Sequence, residues 1–317
     1  FAESGPPLEG AKRLLLVPDG ALTGLPFSVL ITQSSNPAVG SLDYQKASWL
    51  LRDYSISVLP SVGALKSLRV FAAAPQAPRE PFVGFGAPVL TGTSMTESDR
   101  AIQQLATRGL VADVSEVRQL KPLPETKDEL NEIARTLRAN PASVFVGDQA
   151  TERRVKTMDL SQTRTIAFAT HALMAGQFKG YAEPALVLTP PAQGDEVDDG
   201  LLAASEVAQL KLNADWVILS ACSTAASDGT PGAPGLSGLA RAFIYAGARA
   251  LLVSHWDVVS SMAARLTSET VMTRQRDATL SKAEALRLTM LAVLDDPILP
   301  PQYRHPAFWA PFFVVGD

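Results

Sequence analysis

Two short apolar runs, each ending in a reactive residue, constrain this chain more than any other feature. Thr165-Ile166-Ala167-Phe168-Ala169-Thr170 runs into His171, and Trp216-Val217-Ile218-Leu219-Ser220-Ala221 runs into Cys222, the single cysteine in 317 residues. Such runs make strands buried on both faces. Similar runs at 12–17, 54–59, 82–86, 143–146, 185–189 and 249–253 are read as further strands, several of them separated by stretches of helical spacing. Strands alternating with helices predict an α/β fold, with a mainly parallel sheet and helices on both faces. Reactive groups in such sheets sit just beyond the carboxyl ends of the strands. Neighbouring strands ending at His171 and Cys222 would therefore place an imidazole beside a thiol, a nucleophile with its base.

Between the strands, Thr126-x-x-Glu129 reads as a capping box opening a helix through Leu130, Ile133, Ala134 and Leu137, and a second unit is expected to open near Pro122. Ser281-x-x-Glu284 predicts another helix, running to about Leu294. Leu236, Leu239, Ala240, Phe243 and Ile244 share one helical face, and Gly247 fits a left-handed helix stop. Residues 62–71 read as a helix, and 72–81, with three prolines, as a loop.

Composition narrows the function classes. With 46% apolar and 19% charged residues this is an ordinary globular sequence, and a net charge of −4 gives no footprint for nucleic acid. No apolar stretch approaches about 18 residues, so no membrane span is expected. One cysteine cannot form an internal disulfide, which fits a reducing, cytoplasmic compartment. The chain starts at Phe1 without a signal-peptide pattern and reads as a piece of a longer protein. Three scattered histidines and one cysteine offer no metal cluster. Asp195, Glu196, Asp198 and Asp199 lack the spacing of a calcium loop and read as a solvated turn. The glycine-rich stretch 229–238 lacks Gly-Lys-Ser/Thr and reads as a flexible active-site loop, so no cofactor is expected.

Cys222 follows His171 by 51 positions, within an Ala221-Cys222 pair. Caspases have their histidine about 50 residues upstream of an Ala-Cys pair. Several other blocks occur in a fixed order: Leu15-Leu16-Val17-Pro18-Asp19-Gly20, Gly147-Asp148-Gln149-Ala150-Thr151-Glu152, Pro184-Ala185-Leu186-Val187-Leu188, Gly238-Leu239-Ala240-Arg241-Ala242-Phe243, and His305-Pro306 before Phe308-Trp309. Together they resemble a CHAT domain, a caspase-like peptidase family associated with tetratricopeptide repeats. The resemblance runs from about residue 12 to the end of the chain.

The resemblance implies a degenerate caspase-like half over 1–121 and a catalytic half over 122–317. It implies His171 as base, Cys222 as nucleophile, and the backbone N–H groups of Cys222 and Ala172 as oxyanion donors. It also implies a substrate pocket walled by Ser220 and by Ser254, His255, Trp256 and Asp257. His305 reads as structural, and Asp228 as a possible self-cleavage point. A protein or peptide substrate and upstream tetratricopeptide-like repeats or sensor modules are the implied partners. Two departures stand out: Ala172 replaces the usual glycine, and 229–235 lacks the usual glutamate. No arginine lies at the pocket positions, which argues against aspartate specificity. Asp257 points to arginine or lysine; if it faces solvent or caps the next helix, the pocket is neutral and suits an apolar residue. The first reading is a cysteine endopeptidase, and the alternative is an inactive caspase-like signalling or scaffold module. A small-molecule hydrolase lacks its Gly-x-Ser-x-Gly elbow.

Overall fold

The computed structural model describes residues 10–33, 43–64, 79–92, 107–108, 111–112, 114–174, 183–221 and 238–316. The strands, in chain order, are β1 (Arg13–Leu16), β2 (Ser55–Val58), β3 (Glu80–Gly86), β4 (Thr107–Arg108), β5 (Val111–Ala112), β6 (Val144–Val146), β7 (Thr163–Ala169), β8 (Ala172–Leu173), β9 (Ala185–Val187), β10 (Leu201–Ala203), β11 (Trp216–Ser220), β12 (Ala250–Ser254) and β13 (Phe312–Gly316).

Eight of them form one sheet in the order β1-β2-β13-β12-β11-β7-β3-β6. Every neighbouring pair is parallel except β12 with β13. The sheet is thus mainly parallel, with β1, β2 and β13 running one way and the other five strands the opposite way. Strands from both sides of residue 121 share it, since β3 lies between β7 and β6. A second sheet, β10-β9-β8, is antiparallel and starts where the chain leaves β7. β4 and β5 form a separate antiparallel pair.

Side-chain alternation builds the layers. Val217 and Leu219 of β11 face one core, with Ile166, Phe168 and Val253. That core is closed by Leu239, Ala240 and Phe243 of the helix Gly238–Ala246. Phe145, Phe85 and Phe168 stack across β6, β3 and β7, with successive ring centroids 5.4 Å apart. Trp216 and Ile218 face the other core, beneath the helices Glu125–Thr136, Ser260–Arg276 and Lys282–Leu294. Each fully buried side chain of this size contributes about 1.5–3 kcal/mol by leaving water, so the two cores hold the sheet from both faces.

Ser281 caps its helix as its sequence implies, accepting from the Glu284 amide at 3.1 Å, and Gly247 ends its helix at φ 115. His305 caps the helix Pro306–Trp309 through Nδ1, a structural role. The Thr126-x-x-Glu129 capping box does not form. Pro124 precedes the helix, and the Thr126 hydroxyl bonds the Leu123 carbonyl and the Ala87 amide instead. Proline pre-sets the first-turn geometry without a side-chain cap. Glu129 is thereby released for a buried role. The acidic run is likewise not a wholly solvated turn. Asp198 and Asp199 are buried, and Asp199 accepts from the Ala112 and Leu201 amides. β3 starts inside the segment expected to be a loop, while most of the 62–71 helix lies outside the described residues.

Candidate active site

The register of β7 and β11 aligns the two strand ends. Ser220 pairs with Ala169 in a parallel ladder, and the Thr170 amide extends it by donating to the Ser220 carbonyl at 3.2 Å. Both chains leave the sheet here, one toward His171 and the other toward Ala221. Cys222, Asp228 and the stretch 229–235 lie outside the described residues. Close approach of backbones supports this edge: a Cβ on Gly86 of β3 would come within 2.5 Å of the Ala169 carbonyl oxygen.

His171 is held at both ends. Its carbonyl accepts from the Val187 amide at 2.9 Å, and its ring Nε2 lies 2.7 Å from the Lys121 carbonyl. A carbonyl can only accept, so Nε2 carries the ring proton and Nδ1 keeps the lone pair. Burial pulls the His171 pKa below its ordinary value, outweighing the Lys121 carbonyl and the Asp257 charge, which raise it. The ring is neutral at neutral pH, the form a general base requires. Ala172 opens β8 opposite Leu186 and is not among the residues with positive φ, so alanine sits there without backbone strain.

The residues expected to wall a pocket divide into two groups. Ser220 and Ser254 are buried, and their hydroxyls are engaged. Ser220 donates to Glu129 Oε2 at 3.1 Å, and Ser254 donates to the Ala221 carbonyl at 2.7 Å. Ser254 therefore steadies the residue just before Cys222. Trp256 is half-buried with Nε1 donating to the Ala307 carbonyl at 3.2 Å, and Asp257 is exposed. Asp257 does not cap the next helix, whose N-cap is Val259.

His255 is stacked on Phe313 at 4.0 Å and lines a small cavity with Phe27, Ile56, Val58 and Met290. Burial lowers its pKa to about 4. An unfolded chain takes up this proton near pH 6.5, whereas the folded one waits until about 4. The contribution of this group to stability is complete above pH 6.5 and is lost as pH falls toward 4, about 3 kcal/mol in all. Melting temperatures measured from pH 7 to 4.5 should fall steeply for the wild type and less steeply for His255→Phe, which keeps the stack. Parallel curves would refute this account.

Sequence reasoning missed two groups at this site. The Lys121 carbonyl is backbone and carries no residue signal. Glu129 does leave a trace, as an acid on the apolar face set by Leu130, Ile133 and Ala134, but the capping pattern absorbs it. It is buried, and burial pushes its pKa up to about 7. Among the described residues no cluster of three or more His, Cys, Asp or Glu could hold a metal, and no helix is long and apolar enough to cross a membrane.

This fold, a mainly parallel sheet between two helical layers, is that of the caspase-like cysteine peptidases. The Arg-specific cysteine proteinase gingipain R superposes with a TM-score of 0.52 at 12% identity, over 96% of this chain and 63% of that one. Separase of Saccharomyces cerevisiae, in its securin complex, gives 0.46 at 14% identity over 87% of this chain and 15% of that one. The chain belongs to the CHAT domain family, which it matches over residues 4–317. It is similar to Tetratricopeptide repeat protein 28 of Homo sapiens, 26% identical over 352 aligned positions, covering 99% of this chain and 12% of that protein. The Mus musculus protein of the same name is 27% identical over 233 positions, covering 62% and 9%. The chain spans about a tenth of the length of these curated relatives.

Proposed function

We propose that this chain is a cysteine endopeptidase in which His171 and Cys222 form the catalytic dyad. The observation that carries the reading is the parallel register of β7 and β11, in which Ala169 is paired with Ser220. Cys222 stands two residues after Ser220, as His171 stands two after Ala169. The base is supported independently by the Lys121 carbonyl, which leaves Nδ1 free to accept a proton. In the reaction Nδ1 takes the thiol proton and the thiolate adds to a peptide carbonyl. The oxyanion is held by the amides of Cys222 and Ala172, and the imidazolium protonates the leaving amine. Water, deprotonated by the same ring, then releases the acyl group. A peptide-library cleavage profile of wild type against a Cys222→Ala control tests this reading.

The substrate is a protein or peptide. Ser220 and Ser254 are buried, whereas Trp256 is half-buried and Asp257 exposed, so Trp256 and Asp257 are the ones a substrate can reach. Asp257 is exposed and its charge is felt at His171, which supports a preference for arginine or lysine at the cut. Asp257→Asn should lower kcat/KM after basic residues by about tenfold, a loss of about 1.4 kcal/mol. A wild-type preference for leucine or methionine, or a profile unchanged in the variant, would rule the preference out.

The names of the relatives supply a second reading. They are repeat proteins, and this chain would occupy a small part of such an assembly. An inactive module attached to tetratricopeptide repeats would have an unreactive Cys222, which alkylation distinguishes from an activated one. Either form suits a reducing cytoplasm, where the thiol stays free.

A further inference from the structure

We propose that Glu129 is a positioning residue for the nucleophile strand, acting through Ser220 to fix the end of β11. This deepens the endopeptidase reading and rests on it. Glu129 Oε2 accepts from the Ser220 hydroxyl at 3.1 Å, and Oε1 contacts the Thr267 hydroxyl. Thr267 also lies 3.0 Å from the Ala263 carbonyl and 3.2 Å from that of Ala264. Each hydroxyl has one proton to give. Burial, with the nearby Glu125 charge, raises the Glu129 pKa to about 7 against the Thr267 and Ser220 hydroxyls, whose donated hydrogen bonds lower it. In either protonation form Oε2 can accept from Ser220.

Three parts of the site meet at this carboxyl. Its own helix, Glu125–Thr136, follows Lys121, whose carbonyl holds His171. Ser220 ends the strand leading to Cys222, and Thr267 belongs to the helix that follows the His255–Asp257 segment. The surroundings are apolar, with Leu130, Ile133, Met262 and Leu266. A hydrophobic residue of similar size generally serves stability in such a core as well as a buried polar group does, or better. What the carboxyl adds is direction, since it bonds Ser220 at a set distance and angle.

The test uses Glu129→Leu, Glu129→Gln and Ser220→Ala in the full chain, with three readouts: melting temperature, kcat and KM on a cleaved peptide, and the rate of iodoacetamide alkylation. Cys222 is the single cysteine, so alkylation reports on it alone. Glu129→Leu should melt no lower than wild type by more than a few degrees, yet lose about tenfold in kcat with KM unchanged, and alkylate at an altered rate. Glu129→Gln, a neutral mimic of the protonated acid, should recover kcat to within about threefold. Ser220→Ala should reproduce the kcat loss, and combining it with Glu129→Leu should add little. Wild-type kcat and alkylation in folded Glu129→Leu, or in Ser220→Ala if the leucine variant does not fold, would overturn the proposal. Failure of the glutamine variant to recover would do the same. Absence of cleavage in wild type would instead refute the endopeptidase reading. The alkylation rates would then still decide whether Glu129 sets the strand end.

Discussion

Cys222→Ala and His171→Ala should each reduce peptide cleavage by about four orders of magnitude or more, leaving the folded sheet intact. Groups that act as a unit lose nearly everything with the first removal, so the double variant should be little worse than the poorer single one. Removing the imidazole leaves the Lys121 carbonyl without its 2.7 Å partner, so His171→Ala should also melt somewhat lower than Cys222→Ala. Circular dichroism and melting curves separate loss of chemistry from loss of fold. Appreciable cleavage by a folded Cys222→Ala variant would end the dyad assignment.

The second large effect lies at the opposite edge of the sheet. Asp215 precedes β11 and gathers three arginines: Arg79 at 2.8 Å, Arg249 at 2.7 Å and Arg164 at 3.2 Å. The Arg79 side chain is 3% exposed and also donates to the Asn213 carbonyl. Burial alone would raise the Asp215 pKa, but the Arg79 hydrogen bonds and charge, with Arg164 and Arg249, hold it below the usual carboxylate range. The group therefore stabilises the fold above pH 3.8 and loses that contribution as pH falls through its depressed pKa. Asp215→Ala removes the acid from Arg79 and Arg249, which are mostly buried, as well as from the exposed Arg164, and breaking a buried pair costs about 3–5 kcal/mol. A melting temperature lower by roughly 6–15 °C is expected. A shift of a degree or two would show that the cluster is screened like a surface ion pair.

What could be read from the sequence follows from range. Apolar runs reported β7, β11 and β12 within a residue or two because a strand buried on both faces has only one composition. Local caps were readable where the partner is three residues away, as at Ser281 and Glu284. The same rule failed at Thr126, where a fitting pattern lies beside a proline that makes the cap unnecessary. Asp198 and Asp199 are acidic in a polar run, and nothing local reveals that the Ala112 amide, 87 positions away, waits for one of them. The cluster around Asp215 joins residues from 79 to 249, and the Lys121 tether is backbone, so neither has a local signature. Pairing distant polar groups needs the fold first. The ends of the apolar runs pointed to His171 and Cys222 as candidates, and the family resemblance adds to that because it compares blocks in order, which spacing alone does not.

The place of β13 in the sheet has a consequence for synthesis. β1 and β2 are made early but reach the rest of the sheet only through β13, which lies between β2 and β12. At about 5–20 residues per second, the interval from residue 58 to residue 312 takes on the order of tens of seconds. Throughout it the β1–β2 pair has an open edge and nothing to join, the kind of surface that recruits other chains. The neighbouring strands β7, β11 and β12 can pair before this gap is closed. A nascent chain stalled before residue 312 would thus hold the β12-β11-β7-β3-β6 part of the sheet beside an unprotected β1–β2 pair, and chaperone capture should be strongest there.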